Sequence, residues 1–323
     1  MNVALVGGSV AANLGTFLED EFKRVSGLSP RIICLAIGGH KQPQQLLALN
    51  YYMAQGAEYD LIINVDGFND IVLPIVENRK AGINPFFPRG WSLRLSRYTN
   101  EKMNALWKEL KKAVPEETQF VAGLSQGFGR QSAIYGILNW AWFKKLSADI
   151  GKAQEKMMDQ QSKMEKSFEE AGPSVHYREV NQLYHALAEF WARSSLLIDN
   201  LARGNGMEYY HFLQPNQYYE NSKDLNEEEL RTAYMENQPY RQPAAIGYPI
   251  LVNLGKSWLK NKINYFDATM LFSPVKETIY IDNCCHYNKK GNKMFAAYIV
   301  SNILARTNIG KLKSSLKSRQ EMH

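Results

Sequence analysis

The chain has 323 residues, 45% of them apolar, and three cysteines, which is enough to bury a large core without a disulfide scaffold. Its formal charge of +6 is concentrated: the basic tail 306–323, "RTNIGKLKSSLKSRQEMH", supplies four of the six and carries few aromatics to stack bases, so nucleic-acid binding is not expected. The longest apolar runs, "LIINV" and "FAAYIV", fall far short of the ~18 residues of a spanning helix, so no transmembrane segment is expected.

Met1-Asn2 leads straight into the strand-like "VALVGG", so no signal peptide is expected in this stretch. A trimmed export or anchor segment, the compartment and the oligomeric state stay open. "VALVG" (3–7), "RIICLAI" (31–37), "YDLIINVDG" (59–67) and "QFVAGLS" (119–125) are short runs rich in Val and Ile, apolar on both faces, as buried parallel strands are. Leu14, Phe17, Leu18 and Phe22 keep a helical spacing between the first two, and "QPQQLLALNYYMAQGA" reads as a second helix. Strand alternating with helix predicts an α/β fold with a parallel sheet covered on both faces.

From about 139 to 204 the chain is long, charged and helical, broken by "AGPS" at 171–174. Val180, Leu183, Tyr184, Leu187, Phe190 and Trp191 mark one face of its second arm, and the pattern predicts an inserted helical hairpin. "MEYYHFL" (207–213) returns to the sheet, and helices follow near 225–237 and 246–261. "TIYID" (278–282) has the look of a last short strand. In a closing helix Met294, Phe295, Tyr298, Ile299 and Ile303 share a face. The expected organisation is one domain over 1–305, with the insertion at 139–204 and a flexible tail at 306–323.

"VALVGGSVAANLG" is a strand, a glycine turn and a helix start, the place where α/β proteins put a phosphate site or a nucleophile. Adjacent Gly7 and Gly8 do not match G-x-G-x-x-G, "CLAIGGH" offers no acid for a ribose, and no Gly-Lys-Ser/Thr follows. What remains is Ser9 on a strand-to-helix turn, either as a simple helix cap or beside an oxyanion site. Two further strand ends favour the second: "IGGH" offers bare backbone N–H groups, and "DGFND" offers the Asn69 amide. Such a cluster needs a base, and His286 in "IDNCCHYNKKGN" is the candidate. Cys284 and Cys285 are adjacent with no C-x-x-C, and on an extended segment their side chains point opposite ways, so neither a zinc site nor dithiol redox chemistry is expected.

Together these stretches resemble the SGNH (GDSL-type) hydrolase family: "VGGS" with Ser9, "AIGG" with Gly39, "GFND" with Gly67 and Asn69, and "DNCCHYNKKGN" with His286. The resemblance covers the first ~75 residues and the last ~45 before the tail, and leaves the helical middle unmatched. It implies a flavodoxin-like three-layer α/β/α sandwich and hydrolysis of an acyl ester, with no cofactor or metal. By position it makes Ser9 the nucleophile, His286 the general base and acid, and the Ser9 and Gly39 N–H groups with Asn69 the oxyanion hole.

Two departures stand out. Gly8 occupies the place of the usual Asp in the nucleophile block. The family's acid usually lies three residues before the histidine, where this chain has Asn283, while Asp282 lies four before; Asp282 is favoured because a carboxylate can stabilise an imidazolium. Asp66 and Asp70 are fallback partners that otherwise close the turn around Asn69.

His40 lies beside Gly39 and within reach of substrate, whereas His176, His185 and His211 lack partners at a meaningful spacing. "NPFFPRGW" (84–91) with Trp107, Trp140 and Trp142 reads as core or loop packing ahead of a substrate wall. The expected partner is a small-molecule or carbohydrate ester, possibilities including an O-acetyl group. An acyltransferase would use the same residues. A non-catalytic binding or scaffold protein keeping the fold would turn Asp282 away from His286 and wall off Ser9.

Overall fold

The computed structural model describes residues 1–99, 101–108, 145, 148–153, 155–157, 159–160, 163 and 165–307. The expected strand at 119–125, Trp140 and Trp142, and the tail beyond 307 lie outside the described residues. By internal contact the chain forms two compact units, one of Met1–Glu77 with the chain from His176, the other Asn78–Val175.

The first unit holds a parallel sheet of five strands: β1 (Asn2–Gly7), β2 (Arg31–Cys34), β3 (Leu61–Asp66), β4 (Glu208–Leu213) and β5 (Asn264–Asp267). Their order is β2-β1-β3-β4-β5, the flavodoxin-like arrangement. Val3 lies opposite Leu61, and Leu61 opposite Glu208, so the carboxyl ends of β1, β3 and β4 line up along one edge. β3 is buried throughout because it has neighbours on both sides and helices on both faces, whereas the edge strand β2 is partly exposed.

Alternation along β4 separates the layers. Tyr209 and His211 face helix α7 (Val180–Gly204), where Ser195 and Trp191 meet them. Tyr210 and Phe212 face the other way, toward Thr307 and Tyr298 at and beyond α10 (Lys289–Arg306). Helix α2 (Gly15–Ser26) packs on α10. On the α7 side lie α3 (Gln44–Ala54), α4 (Phe68–Leu73) and α9 (Arg241–Ser257). A four-residue α1 (Ser9–Ala12) continues directly from the β1 turn, and α8 (Glu227–Thr232) lies between β4 and α9.

Three boundaries differ from the sequence reading. The residues 278–282 form no sheet strand: Tyr280 makes an isolated antiparallel bridge to Tyr287, and the carboxylate of buried Glu229 accepts the N–H groups of Ile279 and Tyr280 at 2.8 and 3.0 Å. The fifth strand is the inconspicuous "NYFD" of β5. Helix α7, read as the second arm of the insertion at 139–204, covers the sheet, because its apolar stripe including Leu187, Trp191 and Ile198 is the face that β3 and β4 need.

From 91 to 160 the described residues of the second unit are helical. It contains α5 (Trp91–Thr99) and α6 (Phe168–Ala171), with a small core of Met103, Ile150 and Met157 on which Leu106 and Trp107 pack. The loop from Asn84 is packed: Asn78 Nδ2 donates to the carbonyls of Asn84 and Phe87, and Phe87 meets Trp91 edge to face at 5.9 Å. No described helix is long and apolar enough to cross a membrane.

Candidate active site

Three strand ends and one loop converge at the carboxyl edge of the sheet. β1 ends at Gly7, whose φ of +142° and whose closeness to β3, a Cβ falling 2.0 Å from the Val65 carbonyl oxygen, leave room for no side chain. Gly8 follows in extended conformation, and Ser9 opens α1. A Cβ on Gly8 would stand 2.3 Å from Asn69 Nδ2. The Asn69 carboxamide fills the space beside Gly8, so a side chain there would have to displace it.

After β2, Ile37 to His40 form a turn closed by the His40 N–H on the Ile37 carbonyl at 3.0 Å, with Gly39 at φ +77° in its third position. A Cβ at Gly38 would lie 3.9 Å from the Ser9 Cβ, so this turn flanks the serine. Asn69, in the first turn of α4, donates Nδ2 to the His40 carbonyl at 2.8 Å and so ties the ends of β2 and β3. Asp70 reinforces the tie, one carboxylate oxygen accepting the Gln42 N–H at 2.6 Å and the other the Gly67 N–H at 3.0 Å. Burial, then the nearby charge of Asp66, pushes the Asp70 carboxyl up to about 7. Lys41, 1% exposed, is brought down to about 8 by burial, against the opposing pull of Asp70 and Glu77.

His286 reaches Ser9 from the far end of the chain. Its Nε2 lies 2.6 Å from Ser9 Oγ, and its Nδ1 lies 2.5 Å from Asp282 Oδ2. A carboxylate only accepts, so Nδ1 carries the hydrogen, and in the neutral ring Nε2 is then the acceptor for the serine hydroxyl. The Asp282 hydrogen bond raises the pKa of His286, burial opposes it, and the charge of Asp282 adds to the rise. For Asp282, burial acts to raise the pKa, but the hydrogen bond and charge of His286, with the Cys284 and His286 N–H groups, bring it below the ordinary carboxylate value.

The loop that carries this pair is curled, not extended. Asp282 Oδ1 accepts the N–H groups of Cys284, Cys285 and His286 at 3.0, 3.2 and 3.3 Å, and the Ile281 N–H closes the loop on the His286 carbonyl at 3.1 Å. Asn283 turns away and donates to Met235 Sδ at 3.0 Å. Three consecutive side chains after β4 clamp the loop backbone: Asn216 on the Cys284 carbonyl, Gln217 on that of Asp282 and Tyr218 on that of Asn283, at 3.1, 2.9 and 2.7 Å. This clamp has no periodic signature in the sequence beyond its position after a strand end.

Two expectations are corrected. Cys284 and Cys285 do not point opposite ways; their sulfurs are 3.4 Å apart because the chain bends around Asp282. His211 has partners: Nε2 lies 2.7 Å from Asp66 Oδ1 and Nδ1 2.8 Å from Ser195 Oγ, with Trp191 Nε1 donating to the same Asp66 oxygen at 2.6 Å. His211 and Ser195 are fully buried and Asp66 nearly so. Asp66 is thus committed beneath the sheet, and Asp70 to the turn around Asn69.

No protein-family model matches the chain, and no curated protein matches it. Among solved structures it is similar to the lipase Lip_vut3 from a goat rumen metagenome, with a TM-score of 0.37 and 12% identity over 94% of this chain and 97% of that one. A likeness that distant bears on neither chemistry nor substrate.

Proposed function

We propose that the chain is a serine esterase of SGNH type that cleaves a small acyl ester. The observation that carries this reading is the connected line from Ser9 Oγ to His286 Nε2 at 2.6 Å and from His286 Nδ1 to Asp282 at 2.5 Å, partly open to solvent at the carboxyl edge of the sheet. That edge, between β1 and β3 where the strand order reverses, is where open α/β sheets bind ligands.

In this reading Ser9 Oγ attacks the ester carbonyl carbon while its proton passes to His286 Nε2. Asp282 stabilises the imidazolium and keeps the hydrogen on Nδ1. The negative charge on the carbonyl oxygen is met by the Asn69 amide with the Ser9 and Gly39 N–H groups. The tetrahedral species collapses, the alcohol leaves with the proton from Nε2, and an acyl-Ser9 ester remains. Water, deprotonated by His286, then attacks the acyl carbon and releases the acid and free Ser9.

Asp282 facing the ring and a partly exposed Ser9 are the opposite of what a retained scaffold calls for. The test is labelling with a fluorophosphonate together with acetate release from a generic acetyl ester. The parent should label and turn over, Ser9→Ala should lose both, and His286→Ala should lose most of both. A well-folded parent that does neither ends the esterase reading.

A further inference from the structure

The His286 loop brings two thiols that the ester chemistry does not use up to the imidazole that it does. Cys284 Sγ, Cys285 Sγ and a ring nitrogen of His286 all lie within 4.8 Å of one another. Adjacent cysteines in an extended chain project to opposite faces and cannot share an ion. Here Asp282 Oδ1 gathers three successive N–H groups, and the resulting bend leaves the sulfurs 3.4 Å apart.

A tetrahedral zinc site, with Zn–S near ~2.3 Å and Zn–N near ~2.0 Å, holds its sulfurs about 3.7 Å apart and sulfur to nitrogen about 3.5 Å. The sulfurs need to open by about 0.3 Å and the ring to close in by up to about 1.3 Å. Side-chain rotation of Cys284 and His286, both partly exposed, can supply these shifts without moving the buried Cys285. Two thiolates and an imidazole select zinc-like soft cations over magnesium or calcium.

We propose that Cys284, Cys285 and His286 form a capture site for a soft divalent cation of the zinc class, and that the captured ion switches off Ser9. Capture follows from the loop geometry alone; the switching rests on the proposed role of His286. Each thiol releases its proton to solvent on ligation. The ion takes either Nδ1, whose proton shifts to Nε2 as the hydrogen bond to Asp282 breaks, or Nε2, breaking the one to Ser9. Both routes remove the base from the serine. The fourth position is open to water or to Asp282 Oδ2, which already stands 2.5 Å from Nδ1.

The experiment titrates the reduced, metal-free full chain with Cd2+, reading the ultraviolet thiolate-to-cadmium band, and follows fluorophosphonate labelling on the same samples. One Cd2+ per chain should give the band, labelling should be lost in parallel, and EDTA should restore it. Cys284→Ala should lose the band and its own labelling should become insensitive to Cd2+, while Cys34→Ser, which removes the one cysteine outside the loop, should behave as the parent. No band at stoichiometric Cd2+, or an equal band in folded Cys284→Ala, overturns capture; a band with undiminished labelling overturns the switch. A band in a parent that never labels supports capture and sinks the esterase reading instead.

Discussion

Asp282 and Asn283 are neighbours with opposite geometry. Asn283 spends its amide on Met235, whereas Asp282 binds the imidazole and three backbone N–H groups. Asp282→Asn should therefore lower kcat by about 10^4-fold, the scale seen when a serine-protease triad loses its carboxylate, while Asn283→Ala should stay within a few-fold of the parent. Steady-state kinetics on an acetyl ester compares the two, and equal effects would remove Asp282 from its proposed role. The same contact sets a pH dependence. In the proposed mechanism His286 serves as base only when neutral, and Asp282 raises its pKa, so kcat/KM should rise with pH through a midpoint above the ordinary ~6.5 of imidazole. In Asp282→Asn that acid limb should move to lower pH; a limb that does not move means another group is being titrated.

Ser9, Asn69 and His286 are legible in the sequence because each sits where a strand or loop hands over to a helix, a place that leaves its mark in glycines and turn residues. Gly8 stands out in the sequence as a departure from the resembled pattern, whereas the Asn69 amide packed against it leaves no mark there. Gly8→Ala puts a methyl into the Asn69 amide, and that side chain can yield. Turnover should then fall by about 10^2- to 10^3-fold, the worth of an oxyanion donor, with little change in melting temperature. A full loss of folding would show instead that the turn itself cannot accept a Cβ.

At the scale of elements, strands flanked on both sides announce themselves, as β1 and β3 do with every interior residue apolar or nearly so. β5 is four residues with polar ends, and nothing in its pattern separates it from a loop. The 278–282 segment misleads for the converse reason: Ile279 and Tyr280 are fully buried, but a side chain and not a neighbouring strand satisfies their N–H groups. That side chain, Glu229, also binds Lys223 at 2.5 Å with both groups fully buried. Glu229→Gln keeps an acceptor but leaves the ammonium uncompensated, and should cost about 3–5 kcal/mol of unfolding free energy in a urea titration. A cost within ~1 kcal/mol would mean that water reaches Lys223.

At the scale of the whole molecule, the strand order sets what must be buried to build the site. The loops after β1, β2 and β3 meet only if they are tied together, and the Asp70 carboxylate reinforces the Asn69 tie from a place that resists its charge. Its pKa is raised in the fold, so its contribution to stability is full below the unfolded value near ~3.9 and is lost as pH rises through about 7. Asp70→Asn should flatten the fall in stability between pH 4 and 7, measured by denaturant unfolding across that range. An unchanged slope would place the titration elsewhere.

The buried chain from Asp66 through His211 to Ser195 has the same three residue types as the line from Asp282 through His286 to Ser9, at hydrogen-bond distances of 2.7 and 2.8 Å against 2.5 and 2.6 Å. One is sealed beneath a sheet and the other opens to water. The protein thus carries its own control for the difference between possessing a constellation and being able to use it. A fluorophosphonate should leave one adduct per native chain, on Ser9 and never on Ser195, so that reach by solvent and reagent, rather than atomic arrangement, is what tells the two serines apart.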